Sequence, residues 1–189
     1  MKILTAMTAS MLLAALPLAS HAEDMSYSNI DLGYVNTDID GVGPSFDGFG
    51  VRGSIGFAEH YFAFAEYSRV SASGLDLDQT TVGLGGHYGL TDNLDLVGRA
   101  GWLKVKASGG GVSADDDGYM VSAALRGKVG DKVELEGGLM YSDLGGNNGN
   151  ETTGVVAGRY FFTDTFALGA EYQHSSDASS YVIDVRFNF

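Results

Sequence analysis

The chain of 189 residues carries 28 Gly, 2 Pro, no Cys and a formal charge of −13, with 44% hydrophobic residues. That apolar share excludes an intrinsically disordered chain, and the missing Cys excludes disulfide frameworks and thiolate metal or redox centres. An acidic balance without any Lys/Arg-rich run argues against nucleic acid as a partner, and Gly at about twice its usual frequency with almost no Pro points to β structure.

Residues 1–22 read as a cleaved signal peptide. Lys2 gives the positive start, Ile3 to Leu18 is an uncharged apolar stretch, and Ser20-His21-Ala22 sets small residues at the positions that precede a cleavage site before Glu23. The apolar run is shorter than the ~20 residues that a spanning helix needs. The expected mature chain, residues 23–189, loses Lys2 with the leader and carries −14 in place of −13. It shows no helical period and no linker composition, so one domain is expected.

In chain order, period-2 alternation predicts strands near 26–37, 48–57, 61–71, 79–90, 94–107, 118–129, 133–143, 152–162, 166–176 and 180–189. That makes ten, with eight as the alternative. The clearest has Phe49, Val51, Ile55 and Phe57 on one face and Arg52 and Ser54 on the other. Tight connections fall at 58–60, 91–93, 130–132 and 163–165, each with an acid at its centre, and these centres lie 33, 39 and 33 residues apart. A hairpin unit therefore repeats along the chain.

Three features predict an antiparallel up-and-down transmembrane barrel. The face opposite the apolar one carries Asp31, Arg52, Glu66, Asp95, Arg99, Arg126, Lys128, Glu134, Glu136, Arg159, Glu171, Asp184 and Arg186. Six bases and seven acids in one enclosed lumen predict a mutually paired charge network, because an unpaired charge out of water costs several kcal/mol. Aromatic residues gather at two depths, with Tyr34, Tyr67, Trp102, Tyr141 and Tyr172 toward the loops and Phe57, Tyr61, Tyr88, Tyr160 and Phe166 toward the tight turns. Finally, Tyr181, Ile183, Val185, Phe187 and Phe189 alternate with polar residues up to the last position. Such a sheet must close in lipid, where an open edge leaves backbone groups unpaired.

That last strand resembles the terminal strand of bacterial outer-membrane β-barrel proteins. The resemblance implies that Tyr181, Ile183, Val185, Phe187 and Phe189 are read by the barrel-assembly machinery of a Gram-negative outer membrane, in contact with lipid and lipopolysaccharide. The segment from Thr91 to Arg99 is similar to the turn and strand of small OmpA-like and OmpX-like barrels, which have eight strands. Gly33-Tyr34-Val35 followed by Asp47 to Ser54 is similar to the small barrels once described as a sulfation-dependent quorum factor, a label that carries no activity here.

Function in such a barrel is expected at the loops, where the sequence places eleven acids and no base. They are Asp38, Asp40, Asp47, Asp76, Asp78, Asp115, Asp116, Asp117, Asp143, Glu151 and Asp177. Divalent cations could bind such oxygen ligands; a solvated acidic surface is the plainer reading. Arg69, Lys104 and Lys106, close to the loops, could meet lipopolysaccharide phosphates. His174 and Ser176 share a strand face and resemble the His-x-Ser pair of lipid A deacylases, but no orienting acid occupies the expected downstream position. No catalytic set and no cofactor are expected. A narrow, porin-like channel lined by Arg126, Lys128, Glu134 and Glu136 is the alternative to a structural, adhesive or cell-surface interaction role.

Overall fold

The computed structural model describes residues 25–145 and 149–189. The proposed leader lies outside them, as does the middle of the run from Gly145 to Asn150. Ten antiparallel strands follow one another: β1 (Asn29–Ile39), β2 (Val42–Ala58), β3 (Tyr61–Ala72), β4 (Leu75–Thr91), β5 (Leu94–Gly109), β6 (Val112–Val129), β7 (Val133–Leu144), β8 (Asn150–Phe161), β9 (Phe166–His174) and β10 (Ala178–Asn188). Each pairs with its sequence neighbours, and β10 returns to β1 from Asn29↔Asn188 to Ile39↔Ala178, so the barrel has no open edge.

Alternation along each strand sends alternate side chains outward and inward. The outer surface is apolar and exposed, with Leu84 and Phe57 each at 61%. The lumen holds the charges, Glu134 being 1% exposed. A water-soluble barrel would show the reverse, so the exterior is a lipid-facing surface. Tyr34, Phe49, Trp102, Tyr119 and Tyr181 are exposed toward the loop end, and Phe57, Tyr61, Tyr88, Tyr160, Phe162, Phe166 and Phe189 toward the turn end.

Two sequence expectations need correction. The first strand starts at Asn29. Residues 25–28 turn into the lumen instead, where they form part of its turn-end core. The acidic segments are also mostly strand and not loop. Among the eleven acids only Asp40 and Asp177 lie in turns, because the hairpins close through very short connections. Ser73 and Gly74 both have positive φ, as do Gly110 and Gly111, which is the backbone that two-residue hairpins require. With 16 to 18 residues each, β4, β5 and β6 exceed the ~9–11 that cross a bilayer. Their surplus stands beyond the aromatic belt at the loop end as a raised wall.

Candidate functional site

The lumen divides along its axis into an aromatic plug, a charged layer and an open cup. The plug begins at Tyr27, whose ring stacks on Phe62 (5.1 Å between centroids) and on His87 (4.0 Å), under the Arg126 guanidinium at 4.7 Å. Its hydroxyl donates to Asp95 Oδ2 at 2.6 Å, and His87 Nδ1 lies 3.2 Å from the same oxygen. Main-chain anchors hold the segment: Arg126 donates to Ser26 O at 3.1 Å and Ser54 to Tyr27 O at 2.7 Å. Phe62, Phe64, Val97 and Met120 complete the cluster, with Met25 and Met140 against it. Phe62 and Phe64 fit into a narrow lumen because Gly83 and Gly85 on β4 leave the space that side chains would fill.

The charged layer is built from register. Arg186, Asp31, Arg52 and Glu66 stand directly opposite one another across β10, β1, β2 and β3, in alternating sign. Arg186 grips Asp31 with two bonds of 2.7 Å. Arg52 contacts Glu66 at 3.1 Å and crosses the lumen to Glu171 at 3.0 Å, while Arg99 meets Glu136 at 2.8 Å. Glu134 is the hub, reached by Arg126 at 2.8 Å, Arg186 at 3.2 Å and Arg159 at 3.4 Å. Lys128 faces the lumen opposite Glu134 in register. Attraction among these groups offsets the large cost of removing each from water, which is why both signs appear in near balance.

Above this layer lies a cavity of about 350 Å³ that reaches the loop end. It is floored by Asp31, Arg52, Glu66 and Asp184, and its wall mixes aliphatic side chains such as Val35, Val70, Leu103 and Val182 with polar ones such as Thr37, Gln79, Thr153 and Ser180. A smaller space of about 100 Å³ lies between Tyr27 and the charged layer. The sequence concealed the cup because its aliphatic side chains sit on the face that is charged at mid-depth. Val35, Val70, Leu103 and Val182 break the polar-inward pattern only at one end of their strands.

Outside, at the loop end, the bases expected to meet phosphate already have protein partners. Arg69 lies 3.2 Å from Asp78 and 3.6 Å from Asp76, and Lys104 lies 2.6 Å from Asp115. In register, Arg69, Asp78, Lys106 and Asp115 form an outer row of alternating sign across β3 to β6. Belt aromatics tie into the same acids: Tyr67 donates to Asp78 at 2.6 Å and Trp102 to Asp117 at 3.1 Å. The hydrogen bond from Lys104 holds the Asp115 carboxyl below its ordinary range. Among the described residues, no group of three or more His, Asp and Glu side chains is disposed to hold a metal ion.

His174 does not meet Ser176, which lies in the turn after β9. Its Nδ1 is 2.9 Å from Ser179 Oγ on β10, and its ring stacks on Tyr172. Parity along an extended strand ends where the strand ends, and hairpin pairing brings in Ser179 instead.

Among solved structures, the chain is similar to the NanC porin, with a TM-score of 0.52 and 9% identity over 85% of this chain and 100% of that one. It is also similar to the KdgM porin, at TM-score 0.49 and 14% identity over 85% and 99% of the two chains. Ail, the attachment invasion locus protein of Yersinia pestis, matches at TM-score 0.40 and 14% identity, over 87% and 100%. At these identities the NanC likeness shows the barrel fold alone. Neither a family model nor a curated protein matches the chain.

Proposed function

We propose that this is an outer-membrane protein of a Gram-negative bacterium, exported by its leader and assembled through its terminal strand, that acts by surface interaction and not by transport or catalysis. The observation that carries the reading is the doubly closed lumen. Tyr27 and its aromatic neighbours fill the turn end, and the ion-paired layer around Glu134 fills mid-depth. An open water path through ten strands would need these side chains elsewhere. The turn end faces the periplasm in this reading, and the raised wall of β4, β5 and β6 stands outside the cell, where its ion-paired rim and the exposed aromatics below it face lipopolysaccharide or a protein partner.

Planar-bilayer recording tests the reading. The folded protein is expected to give no stepwise conductance, and Glu134→Gln is expected to remain silent while lowering the temperature at which the barrel unfolds on a gel. Reproducible steps that change size in Glu134→Gln would replace this reading with a narrow channel.

A further inference from the structure

We infer that the free edge of β6 on the raised wall is a docking site for an extended, basic segment of a partner protein, which adds to the sheet as one more strand. The inference rests on the surface-interaction reading and names the class of partner. Open main-chain groups, a charge row that stops one member short and an apolar strip on the opposite face each point to such a segment.

Unequal strand lengths create the edge. β6 pairs with β5 from Gly109↔Val112 to Leu94↔Gly127 without a register shift. On its other side, pairing with β7 starts only at Gly118↔Leu144, and the Gly145 N–H reaches Asp117 O at 3.0 Å. Residues 112–116 therefore have β5 on one side and, among the described residues, no strand on the other. Successive residues of a strand turn their main-chain groups to opposite neighbours. Asp117 turns its carbonyl toward β7, so Asp115 and Ser113, both exposed, turn their N–H and C=O groups to the open side. Such an edge is a template for strand addition. β2 also outruns its neighbour, since its pairing with β3 starts at Asp47↔Ser71, but there Pro44 lacks an N–H and blunts the edge. No Pro interrupts 112–117.

Side chains along the edge define what pairs with it. On the outer face, the row of Arg69, Asp78, Lys106 and Asp115 alternates in sign across β3 to β6 and stops at the edge. The next position in that row, on an added strand, favours a cation. On the opposite face Val112, 74% exposed, and Ala114 offer apolar contact. The complementary strand thus alternates basic and apolar residues. A second copy of the same edge is disfavoured, because antiparallel self-pairing sets the acids at 115–117 of one chain close to those of the other. Charge therefore selects a foreign basic segment over the chain itself.

The test uses the full mature protein in phosphatidylcholine nanodiscs, titrated calorimetrically against empty nanodiscs with capped hexapeptides. One alternates Val and Lys, a second is the same peptide with its Lys main-chain nitrogens methylated, and a third alternates Val and Glu. The Val-Lys peptide should bind above the empty-disc background and slow hydrogen exchange at the Ser113 and Asp115 amides. Neither the methylated nor the acidic peptide should do so. Ser113→Pro, which removes one open-side N–H, should weaken binding about five-fold, as for one hydrogen bond. Asp115→Asn should weaken it about three-fold, as for an exposed ion pair, with a difference that shrinks in high salt. Heat-dependent gel mobility confirms that both variants are folded. Equal binding of the methylated peptide would reduce the contact to charge attraction and overturn the assignment, as would absence of binding. A dimer formed without peptide and dissolved by Ser113→Pro would give the edge to a second copy, and overturn it too. Failure here would leave the closed, silent lumen standing, while conductance steps would overturn that reading without changing this titration.

Discussion

Arg186 and Asp31 face each other across the seam where the last strand meets the first, joined by two parallel bonds of 2.7 Å. Both are nearly excluded from solvent, at 5% and 4% exposure, and their 155-residue separation makes this a contact that only closure can form. Asp31→Asn leaves a buried guanidinium with Glu134 as its remaining partner. Breaking one side of such a pair costs about 3–5 kcal/mol. The variant should unfold at lower urea in refolding assays, and Asp31→Asn combined with Arg186→Met should recover part of that loss. Equal stability of the single variant and the parent would show that the seam is held by backbone pairing alone.

Tyr27 joins the plug to the barrel wall through Asp95, 68 residues away. Tyr27→Phe keeps the stacking on Phe62 and His87 and removes only the hydroxyl bond, leaving His87 as the neighbour of Asp95. Loss of a hydrogen bond to a charged acceptor is worth about 1.5–3 kcal/mol. Tyr27→Ala should cost more, because it also empties the aromatic cluster. Both should stay electrically silent in bilayers, since the charged layer still fills mid-depth. Urea midpoints and single-channel recording read the two effects independently.

How far the sequence revealed this architecture depended on contrast between the two faces. On β2 the contrast is sharp, with Phe49, Val51, Ile55 and Phe57 against Arg52 and Ser54, and the strand and its orientation were legible. On β3 the run from Tyr61 to Phe64 is apolar on both faces, so the inward packing of Phe62 and Phe64 left no signal beyond the inward glycines opposite. The strand extensions at 42–47, 75–78, 108–109 and 112–117 were hidden because their Asp and Ser residues resemble loop composition. In the structure Ser73-Gly74 and Gly110-Gly111 take positive φ and close tight hairpins there. Pairwise partners such as Arg52 with Glu171 depend on distances across the lumen, which alternation does not encode.

Gly169 sits where Arg159 and Asp184 approach each other. A Cβ at this position would lie 2.7 Å from Asp184 Oδ1 and 2.9 Å from Arg159 Cγ. Gly169→Val therefore forces these buried side chains apart, and overpacking of this kind costs about 1–3 kcal/mol. Gly56, which has only the Ser28 hydroxyl near its vacant side-chain position, at 3.6 Å, is the control. Gly56→Ala should leave the urea midpoint almost unchanged while Gly169→Val lowers it. A reversed order would contradict the assigned inward packing.

The Lys104–Asp115 pair lies beyond the aromatic belt, on the raised wall, and offers a titration that reports local structure without the bilayer. Donation from Lys104 favours the ionised carboxylate and holds the Asp115 pKa below its ordinary value of 3.8. A depressed folded-state pKa contributes stability that is present above the unfolded value and is lost as pH falls through the folded one. The pair should therefore persist at neutral pH and dissolve in acid, below about pH 4. Carbon-detected titration of the Asp115 carboxyl in the folded protein should show a midpoint under 3.8. Lys104→Ala should move it upward toward that value. An unchanged midpoint in the variant would mean that the contact makes no difference to the carboxylate, leaving the outer charge row as a solvated surface.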